Sequence, residues 1–163
     1  MGPVISAKHK DKVLSYIQAG VDEGAKLLLD GRQHPSVKDP NGNFLGPTIF
    51  EGVKVDMRIM KEEIFGPVVC LMKATDLDDA IAKVNATDFA NASSIYTTSG
   101  KAAREYAYKA HPAMMGVNIG VAAPMAMFPF GGSKASFFGD TKAHGSAGID
   151  FYTDRKVVIT RWF

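Results

Sequence analysis

A chain of 163 residues with 19 basic and 17 acidic side chains has a formal net charge of +2, too small a surplus to favour nucleic acid. Its composition, 46% hydrophobic and 22% charged, is close to that of a globular domain and favours neither a disordered chain nor a membrane protein. Apolar runs are broken by Lys, Asp or Gly well short of the ~18 residues a transmembrane helix needs, and residues 1–12 lack the apolar core of a signal peptide.

One cysteine cannot close an internal disulfide, which fits a reducing compartment, so the expectation is a soluble, cytoplasmic domain. Residues 7–23 predict the first helix. Val13, Leu14, Ile17 and Val21 recur at helical spacing, Ser6 can cap the start, and Gly24 stands where a C-terminal cap belongs. Residues 25–29 read as a strand, followed by a polar loop with Asn41-Gly42 as its turn signal. Residues 44–50 read as extended and interrupted by Pro47.

Residues 67–72 are an unbroken apolar run, the pattern of a strand covered on both faces. Thr75 or Asp76 then caps a helix with Leu77, Ala80, Ile81 and Val84 on one face. A strand at 92–97, an Ala-rich helix at 101–110 and a strand at 114–119 complete a β-α-β-α-β alternation. The predicted fold class is therefore α/β, a mostly parallel sheet flanked by helices. From 120 to 148 the chain reads as loop, rich in Phe and Gly, and the apolar run 157–159 reads as a closing strand. Such a strand needs a partner edge, which a second subunit can supply.

Cys70 sits mid-strand between Val69 and Leu71, a setting for packing and not for a reactive thiolate. His9, His34, His111 and His144 show no metal-ligand spacing, and the GGSK at 131–134 lacks the spacing of a phosphate loop. Asn85 and Asn91 head formal glycosylation sequons that an intracellular chain leaves unused. Asp76, Asp78 and Asp79 cluster at a helix start, where capping and the helix dipole account for them.

The pair Glu62 and Glu63 carries two readings. They are solvated turn charges, or one of them accepts hydrogen bonds from ligand hydroxyls while Phe65 offers an apolar face beside it. The second reading suits a sugar joined to a planar heterocycle, with Gly66-Pro67 shaping the turn.

EEIFGPV at 62–68 followed by PFGGSKAS at 129–136 resembles the aldehyde dehydrogenase superfamily. Residues 115–140 and 144–162 are similar to its acylating, CoA-dependent methylmalonate-semialdehyde dehydrogenase branch, and MGPVIS at 1–6 matches a stretch that in the family follows the catalytic cysteine. The resemblance spans essentially the whole chain. It implies the C-terminal part of a catalytic domain over 1–150 and a terminal oligomerisation strand over 151–163, with a homo-oligomer as the assembly. It implies that Glu63 hydrogen-bonds the nicotinamide ribose of NAD and that Phe65 packs beside that ring. Phe130 would line the aldehyde pocket, with Asn118 close to it. The family's nucleophile, its general-base glutamate and its phosphate-binding groups match no position here. Asp140-Thr141 stands where many hydrolytic relatives have Arg-Glu, in keeping with CoA and not water as the acyl acceptor. The implied reaction converts methylmalonate or malonate semialdehyde to propionyl-CoA or acetyl-CoA with loss of CO2. The competing expectation is a non-catalytic assembly module acting through its terminal strand.

Overall fold

The computed structural model describes residues 1–33, 39, 42–139 and 142–163. His34, Asn41 of the turn signal and the Asp140-Thr141 pair lie outside the described residues. The chain divides into two compact units, Met1–Thr87 and Asp88–Phe163.

The first unit opens with α1 (Ala7–Asp22), where the Ser6 side chain accepts from the His9 amide at 3.2 Å. The helix ends at Gly24, whose φ of 87° lies in the left-handed region that glycine enters without a side-chain penalty. The buried face carries Val13, Tyr16, Ile17 and Gly20, while Val21 is exposed. The expected stripe thus differs in two places: Tyr16 joins it beside Ile17, and Gly20, not Val21, continues it at its end. A helix stripe wide enough to face a core admits aromatic side chains that apolar counting passes over.

β1 (Lys26–Leu29), β2 (Thr48–Glu51) and β3 (Val68–Leu71) form one sheet in the order β1-β2-β3. β1 runs antiparallel to β2, whereas β2 and β3 are parallel from Thr48↔Val68 to Glu51↔Leu71. Phe50 is fully buried and anchors a core with Val13, Tyr16, Ile17, Leu45 and Ile59. Thr48 is buried as well, and its hydroxyl is satisfied by the Gly31 amide at 3.1 Å. Of β3, only one face joins that core: Val68 and Cys70 pack against it, while Val69 and Leu71 are 51% and 45% exposed. The unbroken apolar run predicted cover on both sides. An apolar run records that two faces suit burial, but this chain packs a layer against one of them.

The short α2 (Arg58–Lys61) is absent from the sequence reading, because four residues are about one turn and too few to show periodicity. α3 (Leu77–Ala86) starts at Asp76, whose carboxylate accepts from the Asp79 amide at 2.9 Å. Asp79 in turn pairs with Lys83 one turn on. Capping and an i,i+4 pair thus engage two of the three clustered aspartates.

The second unit contains β4 (Phe89–Ala90), β5 (Ala92–Ile95), α4 (Gly100–Lys109), β6 (Met114–Val117), β7 (Ser133–Lys134) and α5 (Gly145–Tyr152). β5 and β6 are parallel, joined through α4 as the alternation predicted. β4 pairs antiparallel with β7. α5 falls partly where loop was expected. It contains Gly145 and Gly148, has no side-chain cap bond and buries no residue, so neither propensity nor periodicity marks it. Residues 153–163 are exposed, and 157–159 join no ladder among the described residues. No helix among those residues is long and apolar enough to cross a membrane.

Candidate functional site

The stretch between α2 and β3 holds the densest group of chemically distinctive side chains in the first unit. Glu62 and Glu63 are adjacent but differently engaged. The Tyr16 hydroxyl donates to Glu62 Oε2 at 2.5 Å, and Arg58 Nε donates to Oε1 at 3.0 Å. The Arg58 guanidinium also stands over the Tyr16 ring, 4.5 Å from its centroid. Tyr16 first, then Arg58, holds the Glu62 carboxyl below the usual glutamate range. The same hydrogen bond raises the Tyr16 phenol above its ordinary value, because ionising it would set two anions side by side. Glu63 is exposed and has no side-chain partner among the described residues.

Phe65 follows with φ at 55°, in the left-handed region, and its side chain is 78% exposed. For a bulky residue that conformation is a genuine outlier costing about 1–2 kcal/mol. His9 Nε2 donates to the Phe65 carbonyl at 2.8 Å and holds it there. Gly66 lies against α1: a Cβ built on it would come within 2.7 Å of Val13 Cγ2, so no other residue fits without displacement. Pro67 passes the chain into β3, its carbonyl accepting from the Thr48 amide at 2.8 Å. A shallow groove of about 430 Å³, lined by Val4, Leu45, Phe65, Gly66 and Pro67 among others, runs beside the turn. The turn therefore displays an uncommitted carboxylate and an exposed aromatic face. A carboxylate so placed can accept two hydrogen bonds from a vicinal diol, and the ring can pack against a planar heterocycle.

Cys70 is half-buried on the core side of β3. Its thiol contacts the Ile59 carbonyl at 3.9 Å, and burial raises its pKa. A thiol held protonated, with no cation beside it to favour the thiolate, is a packing residue.

Asn118 and Phe130 belong to the second unit. Asn118 has φ at 57° and directly follows β6. Its side-chain oxygen accepts from the Thr97 amide at 2.9 Å, and its amide nitrogen donates to the Thr97 carbonyl at 3.0 Å. This pair of bonds braces the ends of β5 and β6, which makes Asn118 a support in this geometry. Phe130 bridges Ala143 through its backbone, and its ring is 5.7 Å from the His144 ring with 37% of its surface exposed. In the GGSK stretch, Lys134 lies in β7 opposite Phe89. Lys142 closes the adjoining loop by donating to the Gly132 carbonyl and lying over the Phe137 ring at 4.9 Å. Among the described residues no group of three or more His, Cys, Asp or Glu could hold a metal ion.

Sequence reasoning singled out Glu63, Phe65, Gly66 and Pro67 but passed over Tyr16, Arg58 and the role of His9. The i,i+4 spacing of Arg58 and Glu62 was a readable signal. The Tyr16 contact, 46 residues distant, was not.

The chain is 49% identical, over its whole length, to malonate-semialdehyde dehydrogenase 1 of Oceanobacillus iheyensis, of which it covers 33%. It spans about a third of the length of the curated relatives it matches. It superposes on the crystal structure of methylmalonate-semialdehyde dehydrogenase from Oceanimonas doudoroffii with a TM-score of 0.92 at 40% identity, covering 99% of this chain and 33% of that one. A Sinorhizobium meliloti protein assigned to the same activity and solved in complex with NAD gives 0.93 at 39% identity, with the same coverage. The model of the aldehyde dehydrogenase family matches residues 1–158, and the chain belongs to that family.

Proposed function

We propose that this chain supplies the nicotinamide-side positioning elements and an assembly surface of an NAD-dependent, CoA-acylating malonate- or methylmalonate-semialdehyde dehydrogenase. The observation that carries the reading is the division of labour in the acid pair: Glu62 is clamped from within, while Glu63 stands exposed, with no side-chain partner among the described residues, at a strained turn beside an exposed Phe65. The relatives named as malonate-semialdehyde dehydrogenases are about three times the length of this chain, and the solved neighbour in complex with NAD supports the choice of cofactor.

In this reading Glu63 accepts the hydrogen bonds of the nicotinamide ribose and Phe65 packs beside the ring, while Phe130 walls the aldehyde pocket and Asn118 braces it. NAD, when bound, accepts the aldehyde hydride. CoA takes the acyl group, and loss of the substrate carboxylate as CO2 leaves propionyl-CoA or acetyl-CoA. The residues of this chain orient. Hydride transfer depends steeply on orientation, so a carboxylate that fixes the ribose contributes to rate without touching the reacting carbon. The sole cysteine is half-buried against the core of the first unit, so in this reading the chain by itself offers no activated thiolate and does not turn over.

Saturation-transfer NMR with NAD and the purified chain tests the cofactor reading. The wild type is expected to transfer to the nicotinamide-ribose protons. Glu63→Gln is expected to weaken binding roughly tenfold or more, the scale of a hydrogen bond to a charged acceptor. Equal transfer in both would overturn the role of Glu63.

The exposed apolar side chains Val157, Val158, Ile159, Trp162 and Phe163 favour a second reading, in which the chain is an assembly module without a cofactor role. Under that reading NAD shows no transfer at all, while the chain still self-associates.

A further inference from the structure

We infer that Tyr16 and Arg58 are positioning residues: by fixing Glu62, they hold the 62–67 turn in the strained form that displays Glu63 and Phe65. The inference rests on the cofactor reading above and names the groups that make it possible. A residue such as Phe65 stays at positive φ only when its surroundings over-determine the backbone on both sides.

Those surroundings come largely from one helix face. His9, Val13 and Tyr16 stand at i, i+4 and i+7 along α1, and each meets a different point of the turn. Tyr16 holds the Glu62 carboxylate at the entry. His9 holds the Phe65 carbonyl at the apex. Val13 meets the close-lying Gly66 at the exit. Tyr16 itself is only 2% exposed, so its hydroxyl is a fixed post and cannot follow a turn that relaxes. Arg58 completes the clamp from α2, one helical turn before Glu62, bonded to the carboxylate and stacked on the phenol ring. Two donors engage Glu62, while Glu63, the next residue, is exposed and has no side-chain partner among the described residues.

The test is Tyr16→Phe in the 163-residue chain, which removes one hydroxyl and keeps the ring under Arg58. Two readouts are taken: the HN–Hα coupling and Cα and Cβ shifts of Phe65, and NAD binding measured beside Glu63→Gln. The expected result is a Phe65 signature that leaves the left-handed region, Phe50 and β3 resonances that stay in place, and NAD affinity lower by roughly tenfold. A merely structural hydroxyl would instead lower stability while Phe65 kept its signature, and that result overturns the inference. If Phe65 shifts but Glu63→Gln leaves NAD binding unchanged, the clamp stands and the ribose reading fails. If Phe65 is unmoved while Glu63→Gln weakens NAD, the ribose reading stands and the clamp fails. Should Tyr16→Phe not fold, Glu62→Ala at an exposed position carries the same two readouts.

Discussion

The two compact units of this chain treat their apolar side chains in opposite ways. Met1–Thr87 gathers Val13, Tyr16, Ile17, Phe50 and Ile59 into one core around the β1-β2-β3 sheet. Asp88–Phe163 buries Ala90, Tyr106 and Ala110, yet leaves Met127, Phe128, Phe138, Phe151, Trp162 and Phe163 more than half exposed. Exposed apolar surface on that scale marks interaction sites. The first unit is built to hold a turn still, and the second presents surface for something else to cover. The comparison fits the proposed role, in which the strained turn of the first unit orients the cofactor and the exposed surface of the second serves assembly.

The largest effect that would sharpen this contrast is Phe50→Ala, which empties a fully buried site and is expected to cost about 3–5 kcal/mol in urea denaturation. Phe138→Ala, at a ring with no cover, is expected to stay within about 0.5 kcal/mol of wild type. Similar losses at both positions would break the comparison. Gly66→Ala ranks next, at about 1–3 kcal/mol, because the new methyl meets Val13, a buried, stiff, β-branched side chain. A neutral result would mean that the turn can move away from α1.

Self-association tests the second unit. Light scattering at micromolar concentration is expected to show assemblies, and removing residues 153–163 is expected to shift them towards smaller species. A clean monomer of the intact chain would contradict the reading of that surface.

The smallest effect is the pH dependence of the Glu62 clamp. Its folded pKa lies below the unfolded value, so its contribution is present above the ordinary glutamate range near ~4.3 and is lost as pH falls through the lower, folded value. The stability gap between wild type and Glu62→Gln should therefore exist at neutral pH and close on acidification. A gap that persisted in acid would place the effect in packing.

Much of this was legible in local sequence. Ser6 and Asp76 announced their helices because a cap is a contact within three residues. Cys70 declared itself as packing by its apolar neighbours, and the parallel β5-α4-β6 unit by its alternation. Glu63 and Phe65 were visible as chemistry on a turn. What stayed hidden depended on distance or on weak periodicity. Tyr16 meets Glu62 only after the chain folds, and α5, with two glycines and no buried face, carries no helical signature. Val69 and Leu71 show the opposite failure, where a clear pattern foretold a cover that this chain does not provide.

The most direct test of the account is NADH formation by the purified chain with NAD, CoA and methylmalonate semialdehyde, run with Cys70→Ser and with a full-length relative as the active control. The account predicts no turnover from either form of the chain while the relative is active. Turnover by the wild type that disappears in Cys70→Ser would contradict it, since the half-buried thiol of β3 would then be the nucleophile.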